Sequence, residues 1–110
     1  ERAAYYGMAE QYYLQSVAID PNYQDGLFAL GTLYHFELER HLDAIGALET
    51  LLARAPTHIQ GLFVLARSHA TLGNVDEAAA AYTRIVENAA DSDVADRARR
   101  NRQLLLGEAE

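Results

Sequence analysis

Leu27-Phe28-Ala29-Leu30-Gly31-Thr32-Leu33-Tyr34 and Leu62-Phe63-Val64-Leu65-Ala66-Arg67-Ser68-His69 are one pattern written twice, 35 residues apart. Each copy opens six residues after a proline (Pro21, Pro56) and leads through Asp43-Ala44 or Asp76-Glu77-Ala78 into a second apolar run of helical period. Large apolar residues at the first and fourth positions share one face of a helix, and the small residue at the fifth marks a close crossing with a neighbour. A unit of this size cannot bury its apolar face alone, so a repeat at this period implies helical hairpins stacked on one another.

Counting back from Pro21, Pro56 and Ala90 exposes a third register of the same kind. Twelve residues before them stand Ala9, Ala44 and Ala78; eight before, Tyr13, Leu48 and Tyr82; five before, Ser16, Leu51 and Ile85. The caps then place the helices. The first is expected over roughly 3–19. The second opens at Asn22, with Asp25 suited to its positive start. The third, about 41–54, has no obvious cap. Thr57-His58-Ile59-Gln60 reads as a capping box for the fourth. Asn74 with Glu77 opens the fifth directly after Gly73, a residue suited to ending the helix before it. A sixth is expected from about Asp93 to Leu106, before Gly107.

Beyond Ala90 the register breaks, because Asp96, Arg99 and Arg100 fall where a further hairpin would need core. Val94, Ala95, Ala98 and Leu105 still share a face, so this segment has the make-up of a terminal helix with an arginine-rich outer side. The arginine run reads either as a solvated face or as an interaction patch.

These columns resemble the tetratricopeptide repeat. Its Trp/Leu, Leu-Gly, Tyr, Ala, Phe/Tyr and Pro columns fall on Leu27, Leu30-Gly31, Tyr34, Ala44, Leu48 and Pro56, and again on Leu62, Leu65-Ala66, His69, Ala78, Tyr82 and Ala90. The resemblance covers about residues 3–90. Three departures stand out: an extra residue near Glu37–His41 makes the first unit 35 long, His69 replaces an aromatic, and Ala90 replaces the proline. The resemblance implies an all-α fold, a right-handed α-solenoid of about six helices. It implies one domain over 1–110, made of a half repeat (1–20), two repeats (21–55 and 56–90) and a capping helix (91–107).

It further implies that the first helix of each repeat lines a concave groove that takes a peptide or helix of a partner protein. Carried onto this chain, the groove positions are Phe28, Thr32, His35 and Phe36, then Phe63, Arg67, Ala70 and Thr71, then Arg97 and Asn101. Phe28 and Phe63 adjoin the core positions Leu27 and Leu62 and so point elsewhere, either into the groove as apolar anchors or into packing between helices. Some members grip a carboxylate with a Lys/Arg and Asn clamp. Phe28 and Thr32 stand in those columns here, so that mode is not expected. Arg67, with Arg97 nearby, suits one acidic group held by a fork of hydrogen bonds.

Composition narrows the alternatives. At 110 residues there is room for one modest core. Net charge is −7, unevenly spread: residues 1–96 carry five Arg against fourteen acids, residues 97–110 four Arg against two. An acidic body argues against nucleic acid, which needs a basic face. No apolar run approaches the roughly 18–20 residues that cross a bilayer, so no membrane insertion is expected. Without cysteine there is no disulfide, thiolate ligand or thiol nucleophile, and the compartment stays open. Glu1-Arg2-Ala3-Ala4 has no secretory pattern, and without an initiating Met a cut N-terminus is the expectation.

The four histidines do not make a metal site by spacing. His35 and His41 are six apart across a turn, and His58 and His69 lie on different parts of one helix. His69 is read as a core substitute for tyrosine. On the first helix Tyr6 and Tyr13 share a face toward the second helix. Tyr5 and Tyr12 share the adjoining face, a candidate self-association surface. No cofactor is expected. No Gly-rich phosphate loop, Ser/His/Asp placement or converging carboxylate pair supports catalysis, so the chain is not expected to be an enzyme. The leading function is a protein–protein interaction scaffold. Alternatives are a homo-oligomerisation module, with basic ends stacking head-to-tail on acidic bodies, and a regulatory fragment of a larger multidomain protein.

Overall fold

The computed structural model describes residues 1–108. Six α-helices follow one another: α1 (Arg2–Ile19), α2 (Gln24–Thr32), α3 (His41–Arg54), α4 (Ile59–Thr71), α5 (Val75–Asn88) and α6 (Ser92–Leu105). A π-helical turn, Leu33–Glu37, prolongs α2. Each helix packs on its successor, and α2 also touches α4. The outcome is an elongated stack of 43 × 27 × 21 Å, the architecture of a helical-repeat solenoid.

The doubled stretches occupy equivalent places. Leu27 and Leu62 are both buried, as are Leu30 and Leu65. Gly31 and Ala66 are buried at the crossing of first and second helices. A Cβ on Gly31 would lie 2.6 Å from Leu48 Cδ2, so the bulk of Leu48 on α3 fills what the glycine leaves open. Gly26 and Gly61 share a second such position, where each first helix meets the hairpin before it: added Cβ atoms would approach Val17 at 3.2 Å and Leu51 at 2.9 Å. Leu48, Leu51, Leu62 and Ile85 are completely buried. Each contributes about 1.5–3 kcal/mol of hydrophobic stabilisation.

The inserted residue is absorbed as the π turn. In the second hairpin the chain closes with Asn74 N–H donating to the His69 carbonyl, five residues back, at 2.8 Å. In the first, Arg40 N–H donates to the Tyr34 carbonyl, six back, also at 2.8 Å. The closing bond is thus kept and the extra residue sits inside it. Leu38 N–H to Leu33 C=O at 3.0 Å supplies the wider π step. Glu39 then takes the place of Gly73, with φ +52° against +79°, a left-handed conformation that glycine adopts freely and glutamate does not.

Several caps differ from expectation. Asn22 and Asp25 do not cap α2; Asp20 Oδ1 instead accepts from Asn22 N–H at 3.1 Å, a turn that sets the chain before Tyr23. The Thr57–Gln60 box does not form. His58 is the N-cap of α4, its Nδ1 accepting from Gly61 N–H at 2.9 Å. Asn74 makes no cap bond either, because its amide faces His69 Nδ1 at 3.2 Å. His69 is accordingly half-buried and hydrogen-bonded, not a closed core residue like Tyr34.

Helix α1 is attached differently. None of its residues is buried. Its polar hold is Glu10, whose Oε2 accepts from the Tyr34 hydroxyl at 2.7 Å and from Arg40 at 3.0 Å. Arg40 also bonds Asp43 at 2.8 Å and lies over the Tyr34 ring at 4.8 Å. Burial first, then the bond to Glu10, pushes the Tyr34 phenol up to about 12.

Candidate functional site

The alternate helices α2, α4 and α6 carry the residues that the repeat pattern assigns to a groove. Between α4 and α6 a cavity of about 430 Å³ opens, walled by Arg67 and Ala70 on one side and Asn101, Leu104 and Leu105 on the other, with Tyr82 of α5 as its floor. Two features of the sequence produce it. Ala70 is small, and Tyr82 stands in a column between the two helices, where it presents an aromatic surface from below. Burial pushes the Tyr82 phenol up, opposed by Arg67 and by Asn101.

Cation–aromatic contacts line the same side. The Arg97 guanidinium sits 4.5 Å from the Phe63 ring centre, and the Arg67 guanidinium 5.3 Å from that of Phe36. Each pair joins successive first helices, Arg97 on α6 to Phe63 on α4 and Arg67 on α4 to Phe36 on the π turn. Arg67 and Arg97 are both exposed, so their donors stay available while their planes rest on rings.

Phe28 and Phe63 are half-buried, not open. Phe28 packs at 5.2 Å against the His58 ring, and Phe63 lies beneath Arg97 with its other neighbour, Tyr82, at 6.2 Å. Phe36, half-exposed, is the aromatic most open to solvent in this row. Thr32 falls in a neighbouring cavity of about 240 Å³ between α1 and α2, with Tyr6, Tyr13 and Phe36, and its hydroxyl donates to the Ala29 carbonyl at 2.9 Å. Tyr6 and Tyr13 therefore face α2 as expected.

His35 departs furthest from its expected place. It is buried, 8 % exposed, and does not line the groove. Its Nδ1 lies 2.9 Å from Ser68 Oγ and 3.1 Å from His41 Nδ1. The π turn rotates His35 inward, whereas Ala70, its counterpart in the unbroken helix α4, faces the cavity. Ser68 was missed in the sequence, although a signal exists: it stands where the first copy has Leu33, a hydroxyl in a core column. Among the described residues no three His, Asp or Glu side chains gather as a metal-binding set, and no helix is long and apolar enough to cross a membrane. Tyr5 and Tyr12 stand on the outer side of α1 with Met8, all strongly exposed.

Stacked hairpins with alternate helices lining one face define a helical-repeat fold of the protein-interaction class. The chain belongs to the tetratricopeptide repeat family: the family's sequence profile, Tetratricopeptide repeat, matches residues 28–93. No curated protein matches the chain. Repeats of this family mediate protein–protein interaction and are not catalytic.

Proposed function

We propose that the chain binds a segment of a partner protein along the face formed by α2, α4 and α6. In this reading residues 1–20 are a half repeat, 21–55 and 56–90 are repeats, and 91–107 cap the stack. The observation that carries the reading is the cavity over Tyr82, where Arg67, Ala70 and Asn101 converge from two alternate helices. Its apolar side, formed by Ala70, Leu104 and Leu105, suits an aliphatic side chain of the partner. Arg67 and Arg97 are exposed cations on an acidic protein, so a carboxylate beside that side chain gains a charge-assisted bond from Arg67. The ring of Phe36 offers further contact, while Phe28 and Phe63 support the face from beside His58 and beneath Arg97.

The test is binding of a labelled peptide library, read by fluorescence anisotropy. Peptides pairing an aliphatic residue with Asp or Glu are expected to bind at least tenfold better than their Asn or Gln counterparts. That preference is expected to vanish in Arg67→Ala. Phe28→Ala combined with Phe63→Ala is expected to abolish binding while circular dichroism stays helical. An acidic preference retained in Arg67→Ala, together with full binding by the Phe28→Ala/Phe63→Ala variant, overturns the assignment of this face.

A second reading is favoured by the outer side of α1, where Tyr5, Met8 and Tyr12 are 66 %, 71 % and 63 % exposed. Such a stripe suits association of copies of the chain, with Tyr5 and Tyr12 at the contact. Sedimentation velocity decides this: a dimer that dissociates in Tyr5→Ser/Tyr12→Ser supports it, and a monomer at low salt and high concentration removes it.

A further inference from the structure

Two polar side chains are buried among the described residues, His35 and Ser68, and they touch each other. With His41 they form a cluster drawn from three elements: the π turn, the start of α3 and the middle of α4. It therefore joins the first hairpin to the second. The titratable and charged groups facing His35 are His41 from α3 and Arg67 from α4, with the Ser68 hydroxyl beside them. The Phe36 ring meets the imidazole edge-on at 4.5 Å.

A neutral imidazole has one N–H and one bare nitrogen, while an imidazolium has two N–H groups. Two Nδ1 atoms 3.1 Å apart need a proton on one and a lone pair on the other. The pair keeps its contact with one ring charged, because the charged ring donates to the neutral one. With both charged, N–H faces N–H in a site largely closed to water, with the Arg67 cation adding to the repulsion. Burial first, then the charges of His41 and Arg67, holds His35 below the usual histidine range.

We propose that His35, His41 and Ser68 form a proton-responsive joint between the two hairpins, which parts when both imidazoles are charged and loosens the wall where Phe36 meets Arg67. The coupling is direct, since Phe36 touches His35 on one side and lies under the Arg67 guanidinium on the other. A base held below its ordinary pKa favours its neutral form in the fold. The joint is therefore intact above the unfolded value near 6.5, and its stabilisation is lost as pH falls through the lower folded value.

The test is a titration of the full chain followed by the imidazole resonances, together with urea unfolding at pH 7.5 and pH 5. The His35 imidazole is expected to take up its proton below the usual histidine value of about 6.5. The folding constant is expected to fall about tenfold for each unit of that depression. His41→Gln is expected to reduce the acid loss, leaving the share that burial of His35 sets, whereas His58→Asn, which keeps a cap acceptor for α4, is expected to retain it in full. An ordinary His35 titration overturns the proposal, as does an acid loss unchanged in His41→Gln. The resonance titration needs no variant to fold and reads the joint itself, so failure of the groove reading leaves it standing.

Discussion

Hairpins α2–α3 and α4–α5 share their core and differ at their bends. Both bury leucines at the same positions, both leave a small residue where the helices cross, and both close with the same long backbone bond. Yet one bend is a glycine turn and the other a π turn with glutamate in a left-handed conformation. Packing sets the positions that repeat, because helices approach closely only where volumes are complementary. The bend is not held to such complementary volumes, so it tolerates an extra residue, and the consequence reaches the next hairpin: His35 turns inward and meets Ser68 of α4 as well as His41.

The shared core is the part most easily broken. Leu62→Ala, at a completely buried position between two hairpins, is expected to cost about 2–5 kcal/mol in urea unfolding. Leu27→Ala is expected near the lower end of that range, because Leu27 borders a cavity of about 380 Å³ between α1 and α3 and is less tightly enclosed. Equal losses would erase this difference between the hairpins. Next in size, Gly31→Ala sets a methyl against Leu48 and is expected to cost about 1–3 kcal/mol by the same measurement, whereas the second hairpin already accommodates alanine there as Ala66.

Smaller effects probe the attachment of α1 and the bends. Tyr34→Phe removes the hydroxyl bonded to Glu10 and is expected to cost about 1–2 kcal/mol at neutral pH. Because the Tyr34 phenol is held up to about 12, its contribution is present below pH 10 and lost as pH climbs through about 12. The variant is expected to show a weaker alkaline loss in an unfolding series from pH 9 to pH 12. Smallest are the two bend substitutions: Glu39→Gly is expected to stabilise, and Gly73→Ala to destabilise, each by about 1 kcal/mol in thermal unfolding. Opposite signs from matched positions would show that the bends differ in strain while the cores agree.

Much of this architecture was legible in the residues. Leu27, Leu30, Leu62 and Leu65 announce themselves as core because burial demands apolar side chains at helical spacing. Gly31 and Ala66 announce a crossing because nothing larger fits. Gly73 was readable as a stop, since a left-handed residue after a helix favours glycine. Caps were less legible: Thr57 looks like one, but His58 does the work, because which acceptor reaches the free N–H groups depends on a rotation of one residue. The surroundings of the candidate residues were less legible still. Arg67, Ala70 and Asn101 do share a cavity, whereas Phe28 and Phe63 are sheltered by His58 and Arg97, contacts made across gaps of 30 and 34 residues in sequence.

What the amino-acid order determined alone is the period, the helices and the residues that must be inside, since each follows from local geometry and the exclusion of apolar surface from water. What the tertiary structure decided is where the extra residue of the first unit goes and what that does to its neighbours. A single insertion can be absorbed as a loop, a bulge or a π turn. Here the π turn comes with a contact to α4: the buried Ser68 hydroxyl finds its hydrogen-bond partner in the inward-turned His35.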